Sequence, residues 1–374
     1  QFRAGSTRRL ATDGLRSLIQ LGDKVARLET PARSEMPDRA PCLGVEFIEF
    51  ALDEEPAHEL AALFAALGFH QSGTHRSKAV TRWSQGGVNL IINTEKDGFA
   101  QSHAIMHGPG VCALALRVAD VEATMARARA LKVPTFEQPV GPGEMEIPAI
   151  RGVGGSLIYF TEPTGDRAHS WENDFLPVED DSGRPPLLAG VDHISQSMDY
   201  DEMLSWLLFY TSLFSLDRIP QLAIADPAGL VESRPLVNAE GSLRFILNGS
   251  QATRTLSSRF VSEHFGSGVQ HIAFSAPDIF AAVTAMREAG LSFPRTITTT
   301  SKPATISIRT SSSACASTTS STTATARPSS CRSTPMSSRS ASSSRSSSVA
   351  AAIPASARST RQSGWRHRRE RRGR

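Results

Sequence analysis

The chain has no long apolar run, few cysteines and almost no carboxylates in its last fifth. No apolar stretch reaches the roughly 18 residues of a membrane span, and the amino terminus lacks the hydrophobic core of a secretory signal. Cys42, Cys112, Cys315 and Cys331 are widely and irregularly spaced, which excludes a zinc pattern and a disulfide framework. Gly152-Val153-Gly154-Gly155 lies between two predicted strands with no helix start after it, so it is read as a turn and not a phosphate loop. No nucleophile constellation is present. These absences predict a soluble cytoplasmic protein with no membrane partner.

What is present divides unevenly. The chain has 374 residues, 40% of them hydrophobic, enough for two or three domains with real cores. From Thr296 onward fourteen Lys or Arg face the single acid Glu370, so a chain total of +3 leaves about −10 on residues 1–295. The body is acidic and the tail basic. That tail is dominated by Ser, Thr, Ala and Arg, a composition expected to be disordered over 296–374. Its only aromatic is Trp365, which argues against a nucleic-acid partner.

Residues 1–30 pattern as one amphipathic helix, with Leu10, Leu15, Leu18, Ile19, Leu21 and Val25 on a helical period. Pro31, Pro37 and Pro41 mark residues 31–42 as a linker. A repeat follows. Gly44-Val45-Glu46-Phe47-Ile48 opens a strand, a helix is predicted over Glu55–Leu67, and strands over Ala79–Ser84 and Val88–Asn93. The same order restarts at Gly110, with a helix over Val121–Leu131 and strands over Ile147–Arg151 and Ser156–Thr161. It restarts again at Gly190, with a helix over Met203–Leu213 and strands near Gly229–Val237 and Leu243–Asn248, and at Gly268, with a helix over Asp278–Ala289. The expected fold class is α+β, built from tandem βαβββ modules. One module leaves a sheet face uncovered, so they should pair into a first domain over 43–164 and a second over 190–295, joined by a linker over 165–189.

Two of the four openings carry a histidine. Gly190-Val191-Asp192-His193-Ile194 and Gly268-Val269-Gln270-His271-Ile272 place His193 and His271 mid-strand in an apolar alternation, where neutral imidazoles could ligate a metal. The same repeat position holds Phe47 in the first module and Ala113 in the second, so only the second domain is expected to hold metal. The competing reading, two satisfied core histidines, is weakened because both fall at one repeat position. His58, His70, His75, His103, His107, His169 and His264 have no such match and are read as surface or structural.

With these motifs in view, residues 43–294 resemble the vicinal oxygen chelate superfamily and, within it, the 4-hydroxyphenylpyruvate dioxygenases. The resemblance is to the dioxygenase-like half of bacterial fusions whose other half is a 3-dehydroshikimate dehydratase barrel. It implies that residues 1–30 are the last helix of that barrel. It also implies a ferrous ion held by two histidines and one glutamate, acting on an aromatic 2-oxo acid and dioxygen by oxidative decarboxylation and hydroxylation. His193 and His271 match the two histidines, while Ser233, Asn248 and Gln270 match residues lining the family's substrate pocket. Leu256 stands where the family carries another pocket glutamine, which loses a polar contact to substrate. Self-association through the sheets is a further implication. The alternative is an accessory domain that supports the barrel without chemistry of its own.

The third ligand is missing. The resemblance places a glutamate in a late strand of the fourth module, yet no carboxylate occurs between Glu288 and Glu370. Codons available to Thr296–Pro303, read one base earlier, spell Asp-Tyr-Tyr-Asp-Asp-Leu-Glu, and those available to Ser342–Ser348 spell Phe-Phe-Glu-Ile-Val-Glu. The expectation is a fourth module left incomplete by a frameshift after about residue 295, with metal binding weakened.

Overall fold

The computed structural model describes residues 36–164, 170–180, 183–291, 304–309 and 348–352. The helix expected over 1–30 and most of the tail lie outside the described residues.

The first sheet is built from β1 (Cys42–Ala51), β2 (His70–His75), β3 (Val80–Gln85), β4 (Val88–Asn93), β5 (Gly110–Val118), β6 (Thr135–Phe136), β7 (Ala149–Arg151), β8 (Leu157–Thr161) and β9 (Phe175–Pro177). Its order is β6-β7-β8-β5-β1-β4-β3-β2-β9. Successive side chains of a strand point to opposite faces, and β1 uses both. Ile48 and Phe50 pack with Phe64 under the helices α1 (Glu54–Ala66) and α3 (Val121–Ala130) within the main core, while α2 (Gly98–His107) packs Ala100 into a separate cluster with Ala51, Cys112 and Ala113. Of these, α1 contributes Leu60, Leu63 and Phe64, and α3 contributes Val121, Met125 and Ala128. Asp120 caps α3 by accepting from the Ala123 amide at 2.8 Å. Phe47 faces the other way, with Val80, Ile91 and Ala115, into the hollow of the sheet.

The polar connection is not simply a linker. It contains α4 (Ser170–Asp174), and β9 pairs with β2 in the first sheet. Trp171 and Phe175 explain the difference, because they pack onto Phe47 and Val80 and so belong to the first domain's core.

The second sheet repeats the plan with β10 (Gly190–Ser197), β11 (Asp217–Arg218), β12 (Leu222–Asp226), β13 (Gly229–Val237), β14 (Arg244–Gly249), β15 (Gly268–Ala276), β16 (Ala304–Arg309) and β17 (Ser348–Ala352). The helices α5 (Met203–Leu213), α6 (Leu256–Glu263) and α7 (Ile279–Glu288) accompany it. In both sheets the opening strand pairs parallel with the last strand of its own module and antiparallel with the opening strand of the next.

One pairing breaks the symmetry. In the first sheet β8 lies parallel to β5, whereas in the second β16 lies antiparallel to β15, and β17 then runs parallel to β16. Two pieces of the tail expected to be irregular are therefore strands, but the strand beside β15 has the opposite sense to its counterpart.

The two sheets share one core. Phe69 meets Phe274 at 5.9 Å and Phe160 meets Phe214 at 6.0 Å between ring centres. Asn238 donates to the Cys42 carbonyl at 2.8 Å. The glycine turn serves this junction: at Gly154, with φ of 64°, a Cβ would stand 1.8 Å from the Ser267 carbonyl oxygen. Among the described residues no helix is long and apolar enough to cross a membrane.

Candidate functional site

His193 and His271 meet in the hollow of the second sheet. Two β-bulges place them there. Register shifts between Val191 and His193, and between Ser195 and Gln196, leave Asp192 on β10 and Gln270 on β15 as the extra residues. Ser195 is then opposite His271, and the two imidazole Nε2 atoms approach to 3.3 Å with rings nearly perpendicular at 83°. The bulge at Gln270 gives it and His271, neighbours in sequence, a shared outlook on the hollow.

Asp192 had no role in the sequence reading. Its Oδ2 lies 2.6 Å from His193 Nδ1, and Arg244 Nη1 donates to both its oxygens at 3.2 Å. Burial opposes ionisation of Asp192, but the hydrogen bond with His193 and the adjacent Arg244 outweigh it and hold the carboxyl below its usual range. An ionised Asp192 accepts from Nδ1–H and so turns the lone pair of His193 Nε2 toward His271, as orienting carboxylates do for metal-ligating histidines. The matching bulge of the first module also carries an acid, Glu46, although sequence alone marks neither position as a bulge.

A polar wall adjoins the pair. Asn248 donates to Ser195 Oγ at 2.7 Å, and its own Oδ1 is buried with no hydrogen-bond partner. Ser233 stands opposite Asn248 in the β13–β14 register and is 1% exposed. Gln270 accepts from Ser197 Oγ at 2.8 Å and donates to the Leu256 carbonyl at 3.1 Å. Leu256, aligned with a pocket glutamine, thus contributes its backbone to holding Gln270.

The donor set suits a divalent metal in part. Two converging imidazole nitrogens, one with an orienting carboxylate, are what such an ion needs. Among the described residues, no third His, Cys, Asp or Glu joins them in a group able to hold a metal.

The remaining histidines divide. His103 and His107 on α2 stack with His264 at the end of α6, with ring centres at 4.6 Å and 4.7 Å, and all three are buried. These are structural, as read. His75 instead lines the hollow of the first sheet, and His169 lies outside the described residues.

Comparison with known proteins places this geometry. Residues 38–176 match the family model described as hydroxyphenylpyruvate dioxygenase, N-terminal. The chain is 31% identical over 256 residues to a 4-hydroxyphenylpyruvate dioxygenase of Pseudomonas aeruginosa, covering 68% of this chain and 71% of that protein. The chain belongs to the 4-hydroxyphenylpyruvate dioxygenase family. It is also 40% identical over 298 residues to a protein of the same organism named 3-dehydroshikimate dehydratase, covering 78% of this chain but 47% of that relative. A solved fusion of a xylose isomerase-like barrel with a 4-hydroxyphenylpyruvate dioxygenase matches at 36% identity and a TM-score of 0.60, again over 78% of this chain and 47% of that one. The chain therefore spans about half the length of these dehydratase and fusion relatives, in line with a match to the carboxy-terminal half of such fusions. A 4-hydroxymandelate synthase of Streptomyces coelicolor, at 20% identity and a TM-score of 0.60, shares the fold.

Proposed function

We propose that the second domain descends from an oxygenase of aromatic 2-oxo acids and keeps a partial ferrous site on His193 and His271. The observation that carries this is the convergence of their Nε2 atoms at 3.3 Å beside Asp192. When bound, the ion would supply binding of the 2-oxo acid and activation of dioxygen. This chain's residues supply the rest. Asp192 fixes the tautomer of His193, Gln270 is held against Leu256 and Ser197, and the unpartnered Asn248 Oδ1 offers a buried acceptor to a phenolic hydroxyl, beside Ser233. A buried acceptor without a donor is costly, so a ligand hydroxyl there gains affinity.

Two ligands hold a metal weakly, and the chain as written is inferred to have little or no dioxygenase activity. The antiparallel β16, where the first sheet has parallel β8, supports an out-of-frame origin for the residues after about 295. Reading the coding DNA tests this: the inference fails if no alternative frame continues the domain with a glutamate-bearing strand. Leu256 and the lack of a carboxylate as third ligand among the described residues favour a second reading, an accessory domain that supports a dehydratase barrel in a longer protein. A chain with the frame restored separates the two. Keto-acid-dependent oxygen uptake after restoration supports the oxygenase, and its absence despite bound iron supports the accessory role. Either reading suits a soluble cytoplasmic protein free to self-associate.

A further inference from the structure

The first sheet has its own hollow, and the family reading gives it no task. It forms a partly open cavity of about 610 Å³, within the few hundred to a thousand Å³ usual for small-molecule sites. The walls are aromatic. Phe47 lies 5.8 Å from Tyr159 and 5.6 Å from Trp171, and Trp171 lies 5.5 Å from Phe175, so the rings form a continuous cage. Trp171 is fixed by donating its Nε1–H to Glu46 at 2.7 Å.

One carboxylate stands inside the cage. Glu49 lies on β1 two residues beyond Phe47 and accepts from Asn93 Nδ2 at 2.7 Å through Oε1, leaving its other oxygen to the cavity. Desolvation raises its pKa above the usual value, and the Asn93 hydrogen bond and the charge of Lys78 offset that only in part. Lys78, the nearest cation, is engaged by Glu144 at 2.7 Å. Eight carboxylates line the cavity against Lys78 and Arg129, and even with Arg82 behind the Trp171 ring and Arg151 over Phe99 and Phe136 the acidic excess repels an anion and attracts a cation.

The geometry points to a second binding site in the first hollow, for a small organic ammonium with an apolar or aromatic body, held by Glu49 and the ring cage. An ammonium beside Glu49 supplies a counter-charge while the rings cover its methylenes and attract the cation by their quadrupoles. An aromatic 2-oxo acid, the ligand class inferred for the second hollow, carries the wrong charge here. The site does not depend on the reading of the second hollow.

Calorimetric titration of the full chain with phenethylamine and with 3-phenylpropionate tests the assignment, since the two share size and shape but differ in charge. Saturable one-to-one binding of the amine is expected, with at least tenfold weaker binding of the acid. Indole N–H resonances give the location: Trp171 should shift on adding the amine and Trp206 should not. Glu49→Gln should weaken amine binding at least tenfold. No saturable binding of the amine, equal or tighter binding of the acid, a shift confined to Trp206, or a folded Glu49→Gln protein with unchanged affinity would each overturn the proposal. If Glu49→Gln fails to fold, the comparison of amine with acid on the unaltered chain still decides.

Discussion

The two hollows are the same construction with different chemistry. Each opening strand carries an acid at the bulge just before Phe47 or His193, namely Glu46 or Asp192, and an asparagine from the neighbouring strand bonds the residue three positions on, Glu49 or Ser195. Where the first hollow has Phe47 and Ala113, the second has His193 and His271; where the second has Ser195, the first has the carboxylate of Glu49. At these strand positions one scaffold thus presents two imidazoles and a serine, or a carboxylate with a phenyl ring and an alanine. Exchange of a few inward positions of a repeated module changes the chemistry of the hollow while the outward positions stay apolar and fix the fold.

The largest effect concerns whether the hollows are parts of one body. Phe274 is fully buried against Phe69 of the other sheet, so Phe274→Ala should cost about 3–5 kcal/mol. Urea unfolding should remain a single transition by probes in both halves, and separate transitions would make the hollows independent units. Acid tests the same junction. Burial first, then neighbouring histidines, keeps His103 neutral in the fold down to about 3 and His264 down to about 4. Unfolded histidines take up protons near 6.5, so the unfolded state gains protons first, and stability falls as pH drops below that value. Each contributes a loss of about 1.4 kcal/mol per pH unit until its folded pKa is reached, and urea midpoints measured from pH 7 to 5 should fall accordingly, less so in His103→Gln. The smallest effect separates the bulge acids. Asp192→Asn should lower affinity for a cobalt(II) probe by about 10- to 100-fold, while Glu46→Gln should leave it unchanged; equal effects would mean that the acids act only on the strands.

Much of this was legible in the chain. The turn residues Gly86-Gly87 ahead of an apolar run made β4 readable at Val88–Asn93, and the apolar stretch Met203–Leu213 coincides with α5. The paired histidines were visible because a repeat supplies its own control, Phe47 and Ala113. Other features depend on tertiary contact. The segments that form α2 and α6 hide their buried faces behind His103, His107 and Ser257, polar residues that face inward. Asp192 could be linked to His193 only once the bulge turned both toward one side, because adjacent residues of a regular strand face opposite ways. Trp171 and Phe175 looked like part of a polar linker since their partner, Phe47, lies far away in sequence.

As proposed, the second hollow is an iron site short of one ligand. Anaerobic titration of the purified chain with ferrous iron, followed by dialysis against a moderate chelator and oxygen uptake with 4-hydroxyphenylpyruvate, addresses it directly. The account predicts weak binding that His193→Ala or His271→Ala abolishes, complete loss of iron on dialysis and no substrate-dependent oxygen uptake. One ion per chain retained through dialysis, with oxygen uptake that requires the keto acid, would contradict it.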